Sequence, residues 1–199
     1  MPIASQYITI QKTRIHYLKS GDNTSPIVIF LHGASFSSQV WQDIGSLKLL
    51  AENGYCAIAV DLPGYGKSAH FSGDRASFLR QFIEALDLSQ PIIISPSMSG
   101  TYSLPLIANH SEKLPGFVAI APVAIQPHQK QLKGIKLPTL AIWGSNDRII
   151  PPQQADLLVQ LMPNAEKVIL LNAGHACYMK ATDEFHHHLL KFIAKITNQ

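Results

Sequence analysis

The sequence is short of charge, short of cysteine and without any long apolar run. Only 15% of its 199 residues are charged, well below the roughly one quarter usual in globular chains. Apolar residues make up 46%, so the composition suits a packed core and gives no reason for disorder. The two cysteines, Cys56 and Cys177, stand far apart with no CxxC spacing, which excludes a disulfide framework. Sixteen Lys and Arg against 13 Asp and Glu leave a net charge of only +3. The basic residues are scattered, which argues against nucleic acid as the main partner. The longest apolar runs, such as Ile27–Leu31 and Ile92–Ile94, fall far short of the about 20 residues that cross a bilayer. The opening Met1-Pro2-Ile3-Ala4-Ser5-Gln6 has neither the basic nor the apolar region of a signal peptide. The expectation is one soluble, cytoplasmic domain over residues 1–199, without membrane contact.

What is present is a regular alternation. Tyr7–Gln11 and Arg14–Leu18 alternate apolar and polar residues around a polar break, which predicts a half-exposed opening hairpin. Ile27–Leu31 is continuously apolar, and Cys56–Leu62, Ile92–Ser95, Phe117–Ala121, Thr139–Trp143 and Lys167–Leu171 share that character. Such runs suit strands buried on both faces of a parallel sheet. Helical patterns fall between them, at about Trp41–Asn53, Ser77–Leu88, Gly100–His110, Pro152–Met162 and Asp183–Ile196. Pro151-Pro152 opens one helix, and Asp183 with Glu184 opens another. The alternation predicts an α/β fold: a doubly wound, mostly parallel sheet with an antiparallel N-terminal edge. No internal repeat or linker interrupts it. Pro122–Pro138 has room for a loop with a short helix, not for a cap domain.

The segment Ser95-Pro96-Ser97-Met98-Ser99-Gly100 directly follows one strand and precedes a helix. A nucleophile elbow needs such an abrupt strand-to-helix turn. It also needs small residues two places either side of the nucleophile, where the backbone is crowded. Centring on Ser95 puts Ile93 at one of those places; centring on Ser99 puts Thr101 there and moves the nucleophile into the helix. Ser97 fits, although serines stand where glycines are commoner. Alone, the segment would also suit a serine cluster capping a helix.

Three further loops join it. His32-Gly33-Ala34-Ser35 ends the first buried strand, where an oxyanion loop belongs; the backbone N–H groups of Ala34 and Met98 are the expected oxyanion donors. His32 itself reads as a structural histidine that pins this loop. Asp147 follows the strand ending at Trp143, and His175 follows the last strand. The order Ser97, Asp147, His175 is that of the α/β-hydrolase catalytic triad, and each member falls in a loop at one edge of the sheet.

Other signals carry less. Gly64-Tyr65-Gly66-Lys67-Ser68 resembles the tail of a phosphate loop, but the pattern requires a glycine where Asp61 stands. The glycines instead suit a tight turn leaving a strand. His186-His187-His188 point in different directions on a helix and cannot converge on one ion. Cys177 lies close to His175 and reads as a packed thiol with at most mild reactivity; Cys56 reads as a core residue.

The run from Ser95 to Pro105, with Phe36-Ser37-Ser38 before Trp41-Gln42, Leu114-Pro115-Gly116-Phe117-Val118, and Gly174-His175 before Cys177-Tyr178, resembles the type-14 α/β-hydrolase-domain proteins. That group includes the transcription-factor-interacting factor B. The resemblance covers nearly the whole chain, departing at Ala176, where the family often has Pro. It implies the same triad, a small α/β-hydrolase fold without a cap domain, and cleavage of simple activated esters. It also implies, for at least one type, similarity to a protein-lysine deacetylase that passes acetyl to coenzyme A.

The expected function is therefore serine-dependent acyl transfer from a short-chain ester or amide, or from an acetyl-lysine peptide. No metal or prosthetic group is expected, and coenzyme A enters only as an acyl acceptor. Two rivals stand beside it. One is cofactor-free perhydrolysis or C–C bond hydrolysis on the same triad. The other is a non-enzymatic interaction module built on the fold, against which the three reactive groups argue.

Overall fold

The computed structural model describes residues 1–197; of the domain expected over 1–199, Asn198 and Gln199 lie outside it. Eight strands form one sheet: β1 (Ala4–Ile10), β2 (Thr13–Ser20), β3 (Ile27–Phe30), β4 (Cys56–Val60), β5 (Ile92–Pro96), β6 (Phe117–Ile120), β7 (Thr139–Gly144) and β8 (Ala165–Leu170). Their order is β1-β2-β4-β3-β5-β6-β7-β8. The β1–β2 and β2–β4 pairs are antiparallel and the others parallel. The expected fold class therefore stands, antiparallel edge included.

The opening hairpin turns on Gln11 and Lys12, both at positive φ (46° and 68°), the backbone a two-residue turn needs to match strand twist. Neither is a glycine or asparagine; the turn falls at the polar break between the two alternating runs, but nothing in these side chains signals its left-handed backbone.

The continuous apolar runs are explained by helices on both faces, except Lys167–Leu171: β8 is the edge strand, so Lys167 and Leu171 are exposed and only Leu170 is buried. Ile29, Ile58, Ile93, Phe117 and Trp143 face one layer of helices, built from α3 (Arg75–Ala85), α4 (Gly100–His110), α5 (Ile125–Leu132) and α6 (Gln153–Leu161). Val28, Phe30, Ile94, Val118 and Ile142 face the other layer. That layer comprises α1 (Gln39–Asp43), α2 (Ser46–Glu52), α7 (Cys177–Lys180) and α8 (Thr182–Thr197). Between β6 and β7 the chain makes only α5, so nothing caps the sheet's C-terminal edge. Among the described residues, no helix is long and apolar enough to cross a membrane.

The helix expected over Trp41–Asn53 is two helices. Gly45 takes φ +79°, a left-handed residue that closes α1 and redirects the chain into α2. The start of α3 lies two residues earlier than the periodicity suggests, because the Asp74 carboxylate accepts hydrogen bonds from the Ala76 and Ser77 N–H groups and caps the helix.

One buried carboxylate organises the loops that follow β3 and β4. Asp61 accepts hydrogen bonds from the Ser38 N–H (2.7 Å), the Lys67 N–H (2.8 Å) and His16 Nδ1 (2.7 Å). Gly64 and Gly66 at φ +82° and +52° wrap the chain around it, and a Cβ at Gly66 would lie 2.2 Å from Asp61 Oδ2. The segment that mimics a phosphate loop is thus a turn closed on a carboxylate. Burial raises the proton affinity of Asp61, but the hydrogen bonds from Lys67, Ser38 and His16 outweigh it and hold the carboxyl below its usual value. A carboxyl with a depressed folded pKa contributes stability above its unfolded value and loses it as pH falls through the folded one. Asp61→Asn is therefore expected to destabilise the protein by about 1–3 kcal/mol at neutral pH. In urea unfolding, its gap to the parent should narrow below about pH 4.

Candidate active site

The C-terminal ends of β3, β5, β7 and β8 bring four loops together, as open α/β sheets do at their ligand edge. Ser97 sits where β5 turns into the helix through a short 3₁₀ turn (Ser97–Ser99). Its φ is +52°, a left-handed conformation that is strained for a residue with a Cβ. The flanking serines differ entirely from it. Ser95 Oγ is bonded to Ser99 Oγ (2.9 Å) and Ser103 Oγ (2.7 Å), and the Ser99 hydroxyl donates to the Pro96 carbonyl (2.7 Å). All three are fully buried, so their hydroxyls are committed to holding the turn.

The Ser97 hydroxyl lies 2.8 Å from His175 Nε2, and His175 Nδ1 lies 2.8 Å from Asp147 Oδ2. A carboxylate only accepts, so Nδ1 carries the proton and Nε2 faces the serine as an acceptor. The other oxygen of Asp147 accepts hydrogen bonds from the Ile149 and Ile150 N–H groups, both at 2.9 Å. Its side chain is completely buried, while that of His175 is 19% exposed. The carboxylate is thereby immobilised from behind and the imidazole left partly open to solvent. Close approach of the β7 and β8 loops requires Gly144, where a Cβ would fall 2.3 Å from the carbonyl oxygens of Ala173 and Gly174.

Ala34 lies exposed in the loop after β3, and Met98 directly follows Ser97. A Cβ on Gly33 would stand 3.7 Å from the Ser97 Cβ, so this loop packs directly against the elbow. His32 is fully buried; its Nδ1–H donates to the Gly33 carbonyl (2.8 Å) and its Nε2 accepts from the Leu62 N–H (2.9 Å). Burial lowers its affinity for a proton, and both nitrogens are occupied. The ring pins the loop, as its sequence position suggests.

Sequence reasoning missed the segment after β6. Ala121 and Ala124 both take positive φ (42° and 69°), and the Val123 N–H between them donates to the Ser97 carbonyl (2.9 Å). Gly100 permits this, since a Cβ there would lie 2.3 Å from the Val123 oxygen. Alanines give no compositional sign of left-handed backbone, so no sequence signal pointed to this wall. A cleft of about 460 Å³ between Arg80, Leu106 and Leu114 lies at the opposite end of β5 and contains no member of this group. His186, from the triple-histidine run, is bonded to Ser46 Oγ (2.8 Å).

Residues 26–133 and 123–182 match the family model described as alpha/beta hydrolase fold. The chain is 45% identical over 177 residues to Protein ABHD14A of Danio rerio, covering 85% of this chain and 64% of that protein. The chain thus spans less than two thirds of that relative's length. It is 39% identical over 174 residues to the Homo sapiens protein named "Putative protein-lysine deacylase ABHD14B", covering 83% of this chain and 82% of that one. In shape it is similar to a crystal structure described as a predicted CIB-like hydrolase from Thermoplasma acidophilum. The TM-score is 0.92 at 25% identity, over 98% of this chain and 99% of that one.

Cys177, two residues from His175, is fully buried, and burial pushes its thiol up to about 12. It is a packed thiol, not a reactive one. Cys56 is likewise buried and its thiol raised. Native protein treated with Ellman's reagent at mildly alkaline pH should therefore release almost no thiolate, and denatured protein should release two equivalents per chain.

Proposed function

The chain belongs to the alpha/beta hydrolase fold family, and within it to the type-14 α/β-hydrolase-domain proteins; on that premise we propose that it is a serine hydrolase acting through an acyl-enzyme. The observation that carries this reading is the relay Ser97–His175–Asp147, two successive 2.8 Å hydrogen bonds ending on a strained serine. An interaction module has no use for that geometry.

The mechanism follows from the atoms present. His175 Nε2 takes the Ser97 proton as Oγ attacks the acyl carbon. The negative oxygen that forms is held by the N–H groups of Ala34 and Met98. Asp147 keeps His175 in the required tautomer and stabilises its charge. Collapse expels the alcohol or amine, which leaves with the proton from His175. Water, deprotonated by the same nitrogen, then releases the acid and frees Ser97. No step requires a metal or prosthetic group.

The substrates we propose are short-chain acyl esters or amides, acetyl-lysine peptides among them. The name of the human relative supports deacylation of lysine. The uncapped edge between β6 and β7 supports access by a bulky acyl carrier or acceptor. In the finer form of the proposal the acyl group passes to the thiol of coenzyme A in place of water, since His175 can deprotonate either. The exposed cations Lys67 and Arg148 lie in loops at the same sheet edge. The same triad is chemically compatible with perhydrolysis or C–C bond hydrolysis, which a substrate screen distinguishes. We place all of this in one cytoplasmic domain.

Ser97→Ala should abolish fluorophosphonate labelling and cut ester turnover on the order of 10⁶-fold, with circular dichroism unchanged. Near-normal turnover in Ser97→Ala with loss in Ser95→Ala would overturn the assignment. Asp147→Asn should lower kcat on the order of 10⁴-fold. Activity should fall on acidification, because a protonated His175 cannot act as base. With an acetyl-lysine peptide, added coenzyme A should speed deacetylation and appear as acetyl-coenzyme A. Ester cleavage without either effect would leave plain hydrolysis.

A further inference from the structure

Beside Ser97 lies a surface that the relay itself does not use. Pro122, Val123 and Ile125 from the segment after β6 meet Ile149, Ile150 and Pro151 from the segment after β7 around an open cleft of about 280 Å³. Gln126 and Gln154 also line it, but no charged side chain does. Ile149 is 71% exposed, a large apolar side chain presented to solvent two residues from Asp147. Exposed single hydrophobics are ordinary, but this one forms part of a mostly apolar floor that abuts the relay at both ends. The Val123 N–H is bonded to the Ser97 carbonyl, and the Ile149 and Ile150 N–H groups are bonded to Asp147.

The floor is also built under strain. Ala121, Ala124 and Ser97 are three of the eight non-glycine residues with positive φ among the described residues, and all three converge here. Strained backbone that the surroundings hold in place marks functional sites.

We propose that this shelf binds the acyl chain of the substrate, and that Ile149 and Val123 set the preferred chain length. The assignment rests on the serine-hydrolase reading and follows from where the other substituents must go. An acyl carbon at Ser97 Oγ carries three further groups. Its oxygen faces Ala34 and Met98 on the β3 side of β5. Its leaving group stays within reach of His175 Nε2, which must protonate it. The acyl chain is the one apolar substituent, and the shelf is the apolar surface beside Ser97 on the side of β5 away from the oxyanion loop, toward β6 and β7. A mostly apolar lining without a cation suits a hydrocarbon chain and offers no charge to pair with an anionic one such as succinyl. An open shelf removes only part of each methylene from water, so each should raise kcat/KM about twofold, less than full burial would.

The test uses the full chain and two ester series. In the first, the acyl group of p-nitrophenyl esters runs from acetyl through butyryl to hexanoyl. In the second, the acyl group is fixed as acetyl and the alcohol is lengthened. The expected result is a rise of about sixteenfold from acetyl to hexanoyl, with a flat alcohol series. Ile149→Gln, at an exposed position the fold tolerates, should flatten the acyl series to within about twofold, and Val123→Ser should do so in part. Fluorophosphonate labelling of Ser97 separates the two levels of failure. A flat or falling acyl series in protein that labels at Ser97 overturns the shelf and leaves the hydrolase. A rising alcohol series flattened by Ile149→Gln also overturns it, by giving the shelf to the leaving group. Protein that neither labels nor turns over any ester overturns the serine-hydrolase reading itself.

Discussion

A serine held at φ +52° is the constraint around which the rest of this molecule is arranged. Left-handed backbone at a residue with a Cβ costs about 1–3 kcal/mol and persists only where the surroundings over-determine it. Here they do. β5 is hydrogen-bonded on one side to β3 and on the other to β6. Beneath the turn, the hydroxyls of Ser95, Ser99 and Ser103 join one another and the Pro96 carbonyl. Gly100 lacks the side chain that would keep the segment after β6 away. The strain exposes one hydroxyl and buries its neighbours, so the selectivity among three nearby serines is a property of backbone conformation.

Electrostatics then divide the labour between two buried carboxylates. Asp147 takes three donors, one of them His175, and holds a ring that remains open to the solvent edge. Asp61 also takes three donors, but they are Ser38, Lys67 and His16, and the group they form is closed. Through Ser38 it anchors the far end of the loop whose near end His32 pins to Leu62. One carboxylate thus positions the imidazole beside Ser97, while the other supports the loop that faces it.

Much of the fold was legible because the helices cover both faces of the sheet, leaving unbroken apolar runs such as Ile27–Phe30 and Phe117–Ile120. The elbow could be placed within its serine run because the size of Ile93 and the helical position of Thr101 left one register. What escaped detection has a common cause: positive φ at residues that are not glycine. Gln11 and Lys12 turn the first hairpin, and Ala121 and Ala124 bend the wall beside Ser97, yet nothing in those side chains announces it. At Gly45 the glycine was visible, but its effect on the helix depended on how α1 closes. The partnership of His16 with Asp61 spans 45 positions of sequence and is created by the pairing of β2 with β4, not by any motif.

The chain has two tryptophans, and the indole of each is tied to the machinery around Ser97. Trp41 Nε1 donates to the Leu31 carbonyl (2.7 Å), just before the loop that carries Ala34, and its ring stacks at 4.8 Å on Tyr178, three residues past His175. Trp143, near the end of β7, donates from Nε1 to the Ile150 carbonyl (3.2 Å), behind Asp147. Both rings are fully buried. The tryptophan emission of this protein therefore originates entirely from the two flanks of the cleft. A change in its colour or quenching reports displacement of those flanks, with no label added.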